Sequence, residues 1–149
     1  MTHHHEVVEA LQQIGYRLTP QRMMILEAIA HSDGHTSAEE ILETARAAYP
    51  YLDISTVYRT LDLLKTLHLV SETDLGRGHA HYELLSKGLH HHLICTDCGQ
   101  IVDVPNSFLD ELRAAIDRQY EFHAEIEHLA IFGICSRCKE NAGQDTAAQ

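Results

Sequence analysis

The chain has 149 residues, 44% of them hydrophobic, and carries 22 acidic and 11 basic side chains, a formal net charge of −11. This length suits one domain of ordinary size or two small ones. The acidic charge argues against a protein that coats itself in nucleic acid, but it allows a small basic contact. No apolar run is long enough to span a membrane, and the N-terminus lacks a signal-peptide pattern. We therefore expect a soluble, cytoplasmic protein without a membrane partner.

Four helices and a β-hairpin are predicted in the first half of the chain. Thr19 is the predicted N-cap of the second helix, and Ser37 begins the third with a capping box. Ser55 is the predicted N-cap of the fourth helix. The predicted helices cover residues 6–14, 20–29, 38–49 and 56–65, and the predicted strands cover residues 67–73 and 80–84. Helices followed by a hairpin are typical of a winged helix, so we expect a winged-helix DNA-binding domain over residues 1–85.

The fourth predicted helix has a polar face suited to DNA. Thr56, Tyr58 and Arg59 lie off its apolar stripe. Hydroxyl and guanidinium groups in the first turns of a helix can donate to phosphates and base edges. A solvated helix face is an equally good interpretation of this composition. Neither part of the chain is basic, because residues 1–84 carry 6 basic and 12 acidic side chains and residues 85–149 carry 5 and 10.

A small α/β dimerisation domain is predicted over residues 86–138, which makes the fold class α+β. Its strands are expected at residues 93–94, 100–104 and 126–134, and its helix after Asn106 or Ser107. The apolar surface is large for a domain of this size, so we expect a homodimer formed through it. The polar tail at 139–149 is expected to be disordered.

All four cysteines lie in two Cys-x-x-Cys pairs. The first pair is Cys95 and Cys98, and the second is Cys135 and Cys138. Two such pairs can deliver four thiolates to one tetrahedral ion, and soft sulfur ligands favour zinc. A site closed by four sulfurs leaves no open position, so this zinc is expected to be structural. The alternative is two redox pairs or free thiols.

A second metal site is predicted around His90 and His92. Residues two apart on a strand point to one face, so both imidazoles can reach one ion. Glu83 can add a carboxylate oxygen, and a histidine of the first domain, His31 or His35, can add a further imidazole. Such a set suits Fe(II), Mn(II), Co(II) or Zn(II). An ion held by both domains would regulate their arrangement.

Five segments of the chain resemble the ferric uptake regulator family of metal-sensing bacterial repressors, and together they span nearly the whole chain. They are Gly15–Arg22, His35–Glu39, Ser55–Leu61, His90–Gly99 and Gly133–Cys138. The resemblance implies a dimeric winged-helix repressor that binds an AT-rich inverted repeat of double-stranded DNA when its regulatory metal is bound.

The resemblance also assigns roles to individual residues. The structural zinc ligands fall on the four cysteines. The regulatory ligands fall on His35, Glu83, His90 and His92. The DNA contacts fall on Arg17, Ser55, Thr56, Tyr58 and Arg59.

Some members of the family carry a further metal site. Its positions here are Leu89, His91, Asp110 and Glu127, where Leu89 cannot ligate and Glu127 replaces a histidine. Asp103 matches a carboxylate with which the peroxide-sensing branch binds iron.

The leading hypothesis is a repressor of metal-homeostasis genes that responds to Fe(II), with Zn(II) or Mn(II) as possible signals. Zinc-uptake and peroxide-sensing members of the same family are the alternatives within this class. A metalloenzyme using His90, His92 and Glu83 is an alternative of another class, although the chain has no His-Glu-x-x-His motif. A zinc-ribbon module that uses the winged helix for protein contacts is the third hypothesis. We expect a regulator, not an enzyme.

Overall fold

The computed structural model describes residues 2–145, which form two compact units. The boundary between the units lies between Gly88 and Leu89. Both combine helices with a small sheet, so the expected α+β class is confirmed. Among residues 2–145, no helix has the length and apolar character needed to cross a membrane.

The N-terminal unit consists of four helices and a hairpin. The helices are α1 (Thr2–Gln13), α2 (Pro20–His31), α3 (Ala38–Arg46) and α4 (Ile54–Thr66), and the strands are β1 (Val70–Asp74) and β2 (Ala80–Leu84). Helix α1 begins four residues before its predicted start. The strands pair antiparallel, with Val70 opposite Leu84. One hydrophobic core includes buried residues of all four helices and both strands, so this unit has a complete interior of its own.

The N-terminus of α4 is capped by Asp53. Its Oδ1 accepts hydrogen bonds from the backbone N–H of Thr56 and from the hydroxyl of Ser55, both at 2.7 Å. The predicted N-cap, Ser55, is therefore wrong: it lies inside the first turn, because the carboxylate two residues earlier reaches the N–H groups at the helix end.

Acid is expected to weaken the cap of α4. Hydrogen bonds from Ser55 and Thr56 lower the pKa of Asp53 from 3.8 to about 2. Because the folded value is the lower one, Asp53 stabilises the fold fully above pH 3.8 and loses that effect as the pH falls towards 2. Asp53→Asn keeps an acceptor that does not titrate, so its unfolding free energy should fall less steeply than that of wild type over this range. Urea unfolding between pH 5 and pH 2.5 would measure this, and equal slopes would contradict it.

The C-terminal unit is built on a three-stranded sheet. Its strands are β3 (His90–Cys95), β4 (Ile101–Pro105) and β5 (Ala130–Gly133), and its helices are α5 (Asp110–Tyr120) and α6 (Ser136–Asp145). Strand β3 is central, antiparallel to β4 and parallel to β5. The predicted helix start after Asn106 is wrong, because residues Asn106–Leu109 form a 3₁₀ turn before α5.

The C-terminal unit buries few apolar side chains. Among its described residues, the buried hydrophobic ones are Ile94, Cys95 and Leu109. Its exposed large hydrophobic residues are Leu89, Val102, Phe108, Leu112, Tyr120, Phe122, Ile131, Phe132 and Ile134. A unit of this size with so small an interior needs further stabilisation from a metal, a partner or both.

The expected disorder from residue 139 onward is wrong for the first part of the tail. Helix α6 continues through this segment to Asp145. It begins directly after Cys135, inside the second Cys-x-x-Cys pair, so a composition typical of disorder is overridden by a helix that starts at the pair. Residues 146–149 lie outside the described residues.

Candidate metal centres and nucleic-acid interface

The four cysteines meet in the C-terminal unit. Cys95 is the last residue of β3 and Cys98 follows it, the second pair follows β5, and all four sulfur atoms lie within 4.8 Å of one another. The Sγ atoms of Cys98 and Cys135 are 3.8 Å apart. This matches the edge of a tetrahedron with Zn–S bonds of about 2.3 Å, which is roughly 3.8 Å. None of the four is in a disulfide. The geometry fits one tetrahedral ion with four sulfur ligands.

Electrostatics at this cluster favour thiolates that share a cation. Backbone N–H groups of Cys98 and Cys135 lower the pKa of the Cys95 thiol to about 6. Hydrogen bonding to Cys135 and Cys98 raises the pKa of Cys138 to about 12. Four negative sulfurs cannot accumulate at this spacing unless a positive ion neutralises them, and binding a metal releases the remaining protons.

One pair of predicted ligands meets in the N-terminal unit. An isolated bridge pairs Thr36 with Tyr82, through hydrogen bonds of 3.1 and 2.7 Å between their backbones. This register sets His35 beside Glu83, with 3.6 Å between Nδ1 of His35 and Oε2 of Glu83. His31, the alternative from the sequence, ends α2, and its Nδ1 lies 2.8 Å from the carbonyl of Glu27.

A second group of predicted ligands meets in the C-terminal unit. His90 and His92 lie on one face of β3, with ring centroids 4.8 Å apart. Asp103, opposite His92 on β4, accepts from its Nδ1 at 2.8 Å. A ring that donates from Nδ1 carries its lone pair on Nε2, the form in which histidine binds a metal. Burial lowers the pKa of His92, which favours the same neutral form.

Arg113 forms a hydrogen-bond network that includes Asp110, one of the residues predicted for the third metal site. The guanidinium of Arg113 donates to the carbonyl and side-chain oxygens of Asn106, to Asp110 at 3.0 Å and to the carbonyl of Ile126 at 3.0 Å. The Oδ1 of Asn106 also accepts from Nε2 of His91 at 3.1 Å. His91 is fully buried, on the face of β3 opposite His90 and His92.

The residues predicted for a third metal do not form a metal-binding group. Within the part of the chain that the structure describes, His91, Asp110 and Glu127 belong to no set of ligands close enough to share an ion. Arg113 already supplies a positive charge beside Asp110. Asp103, which matches the carboxylate of the peroxide-sensing branch, groups with His90 and His92.

Removing the guanidinium of Arg113 should destabilise the C-terminal unit. Arg113→Met leaves the carbonyl oxygens of Asn106 and Ile126 without the Arg113 donor, which costs about 1–3 kcal/mol. Arg118→Met, on the exposed side of the same helix, should change the unfolding free energy little. Added Zn(II) or Mn(II) should not restore Arg113→Met. Chemical denaturation of both variants tests this, and equal stabilities would contradict the role given to the network.

The predicted DNA contacts of α4 lie together at its start. Tyr58 and Arg59 are exposed, and the first turn also presents Ser55 and Thr56. The Tyr58 hydroxyl donates to Glu39 at 3.3 Å. The Arg59 guanidinium donates to the backbone and side-chain oxygens of Ser55, both at 3.2 Å. These contacts hold two long side chains against the first turns of the helix, at the surface.

Arg17 is exposed in the segment before α2. Its carbonyl accepts from Arg22 at 3.4 Å, and the Arg22 guanidinium lies 5.6 Å from the ring centroid of Tyr16. The backbone at Arg17 is thereby fixed while its side chain faces solvent.

His128 lies beside His90 and His92, although the sequence did not predict it as a metal ligand. It precedes β5, and its ring centroid lies 4.6 Å from that of His90 and 5.3 Å from that of His92. The sequence feature that could have indicated a ligand here is the position of His128 next to Glu127. Only the register of β5 against β3 shows which residues that histidine faces.

Comparison with known proteins establishes the family. The profile of the Ferric uptake regulator family matches residues 13–132. The chain therefore belongs to the ferric uptake regulator family of metal-responsive transcriptional regulators. Membership in a family of regulators excludes the metalloenzyme alternative.

Two characterised relatives show the range within the family. The ferric uptake regulation protein of Bacillus subtilis (strain 168) is 32% identical over 136 residues, which cover 89% of this chain and 91% of that protein. The peroxide operon regulator of the same strain is 33% identical over 138 residues, covering 91% and 94%. Because the chain is about equally identical to both regulators, sequence identity does not show whether it responds to iron or to peroxide.

Solved structures share the fold. The ferric uptake regulator of Pseudomonas aeruginosa with manganese has a TM-score of 0.71 at 26% identity, covering 91% of this chain and 99% of that chain. A zinc uptake regulator in complex with zinc and DNA has a TM-score of 0.62 at 25% identity, covering 96% and 99%. The predicted winged helix followed by a small α/β domain is confirmed by these likenesses.

Proposed function

We propose that the chain is a repressor that binds operator DNA as a homodimer when a regulatory metal ion is bound. The observation that carries the proposal is the separation of its ligands into two kinds. Four sulfurs form a closed set, while imidazoles and carboxylates form another. The first set suits a permanent ion, and the second suits an exchangeable one.

The DNA contacts proposed are Arg17, Ser55, Thr56, Tyr58 and Arg59. The exposed polar start of α4 supports them, because the start of a recognition helix contacts base edges in the major groove. Arg17 would reach the minor groove. The structure of a zinc uptake regulator in complex with zinc and DNA, which has the same fold, adds support. A protein with these contacts would act where the chromosome lies, in the cytoplasm.

The homodimer is proposed to form through the C-terminal unit. That unit exposes nine large hydrophobic side chains and buries only three hydrophobic residues among those described. Val102, Ile131 and Ile134 line an apolar cleft of about 360 Å³ beside Cys95 and Cys135. Covering this surface with a second copy would supply the interior that one copy lacks.

A structural zinc is proposed on Cys95, Cys98, Cys135 and Cys138. When bound, zinc would link the end of β3 to the start of α6. The sulfur spacing and the low pKa of Cys95 support this assignment. The alternative is two redox pairs; the grouping of all four sulfurs within 4.8 Å of one another supports a shared ion instead.

The regulatory ion is proposed to bind His35, Glu83, His90 and His92, with Asp103 beside His92. His35 and Glu83 lie together in the N-terminal unit. His90 and His92 lie together in the C-terminal unit, with Asp103 bound to His92. These two groupings support the assignment. An ion bound by ligands of both units selects one arrangement of the units from those available in solution. Mixed nitrogen and oxygen ligands suit Fe(II), Zn(II) and Mn(II). Fe(II) is proposed first because the chain belongs to the ferric uptake regulator family.

Selection from a random double-stranded DNA pool tests the DNA partner. The zinc-loaded protein would be incubated anaerobically with the pool and Fe(II), Zn(II) or Mn(II), and bound DNA would be sequenced. An AT-rich inverted repeat should be enriched, most strongly with Fe(II). Enrichment of no sequence with any of the ions would contradict the proposal.

Peroxide sensing is a second candidate, because a specific contact favours it. Asp103 accepts from His92 at 2.8 Å and matches the carboxylate with which the peroxide-sensing branch binds iron. A peroxide sensor should lose operator binding after hydrogen peroxide treatment when loaded with Fe(II), but not when loaded with Mn(II). Equal resistance with both ions would exclude this candidate and leave metal sensing intact.

A further inference from the structure

We propose that His128 is a ligand of the regulatory ion and tunes which metal the protein accepts. This inference rests on the proposed regulatory site at His90 and His92. It adds a third imidazole from the same unit, at a position that the family resemblance does not assign to this site.

The spacing of the three rings fits a shared ion. A metal–nitrogen bond of about 2.1 Å puts the centroid of an imidazole roughly 3.2 Å from the ion. Two such rings are then about 4.5 Å apart at right angles and about 5.2 Å apart at the tetrahedral angle. The observed centroid separations among His90, His92 and His128 are 4.6, 4.8 and 5.3 Å. Donor atoms of His90 and His128 lie within 4.8 Å of each other, and those of His90, His92 and Asp103 do so in a separate group, so His90 is common to both groups.

The backbone fixes His128 in this position. The N–H of His92 donates to the carbonyl of Leu129 at 2.8 Å, where the chain enters β5. The parallel register then pairs His92 with Ala130. His128 is partly buried and sits one residue before this hydrogen bond. Its position is therefore set by the central sheet, as that of a ligand must be.

A third imidazole changes the chemistry of the site. The C-terminal unit then offers imidazole nitrogens from three histidines, while Asp103 orients the ring of His92. Imidazole suits Zn(II), Fe(II) and Ni(II), whereas Mn(II) prefers oxygen ligands. His128 should therefore raise affinity for Co(II), a spectroscopic substitute for Fe(II) and Zn(II), more than affinity for Mn(II).

Metal titrations of the full-length, zinc-loaded protein test the inference. His128→Phe keeps a ring of similar size but removes the ligand. His128→Asp replaces nitrogen with oxygen. His123→Phe changes an exposed histidine of the same unit and serves as the control. Co(II) affinity and the Co(II) d–d absorption spectrum would be measured, along with Mn(II) affinity by electron paramagnetic resonance.

His128→Phe should weaken Co(II) binding at least about 10-fold and alter the d–d spectrum. Its Mn(II) affinity should fall less, and His128→Asp should bind Mn(II) relatively better than wild type. His123→Phe should match wild type in every measurement. If His128→Phe keeps the wild-type spectrum and affinity while His90→Ala loses binding, the role of His128 is overturned but the proposed regulatory site is not. Wild-type binding in His90→Ala as well would overturn the proposed regulatory site.

Discussion

Cys98→Ser is expected to abolish zinc binding and to unfold the C-terminal unit. Serine cannot replace a thiolate in a four-sulfur site, so zinc content should fall from one per chain to below about 0.1 after chelation. The unit has only Ile94, Cys95 and Leu109 as buried hydrophobic residues among those described, so little else holds it together. Zinc analysis and circular dichroism would measure the loss, and sedimentation should show that the dimer is lost too.

Ser136→Ala is a suitable control for Cys98→Ser. It changes an exposed residue between the two cysteines of the second pair. It should keep zinc, fold and dimer. The N-terminal unit of Cys98→Ser should still unfold cooperatively, because its core is separate. A C-terminal unit that stays folded without zinc would show that the ion is dispensable.

Arg59→Ala is expected to weaken operator binding by about 5–150-fold, equivalent to roughly 1–3 kcal/mol. The exposed guanidinium lies at the start of α4, held by Ser55, and positive charge there matters because the chain has a net charge of −11. If Arg59 contacts a phosphate, the slope of log affinity against log salt should fall by about one. Fluorescence anisotropy at several salt concentrations would measure both quantities.

Two further variants make the Arg59 measurement specific. Arg59→Lys keeps the charge but loses the planar fork, so a base contact would be lost and a phosphate contact largely kept. Arg118→Ala removes an exposed positive charge from α5 and should leave affinity nearly unchanged. Equal losses in Arg118→Ala and Arg59→Ala would mean that total charge, not the α4 face, governs binding.

Local sequence patterns predicted most of the elements and the members of the sulfur cluster. Capping residues, helical spacing and paired cysteines act over a few residues, so they are visible without a structure. The N-cap at Ser55 was wrong because two oxygen-bearing residues competed for the same N–H groups, and the carboxylate of Asp53 won. Propensity also failed at the tail, where α6 starts directly from the second cysteine pair.

Long-range register was the information that the sequence lacked. The bridge between Thr36 and Tyr82 selects His35 over His31 as the neighbour of Glu83. The pairing of β3 with β5 brings His128 to His90. The Arg113 network likewise joins residues from three separate segments, and no local sequence pattern indicates these contacts.

The operator affinity ratio with and without the regulatory ion tests metal-dependent DNA binding most directly. The zinc-loaded protein would be titrated anaerobically onto its selected operator, first with Fe(II) and then after Fe(II) is chelated, in wild type and in His90→Ala. Coupling of the usual size predicts wild-type binding about 5–150-fold tighter with Fe(II), and no difference in His90→Ala. Equal wild-type affinity in both conditions, repeated with Zn(II) and Mn(II), would contradict metal-dependent repression.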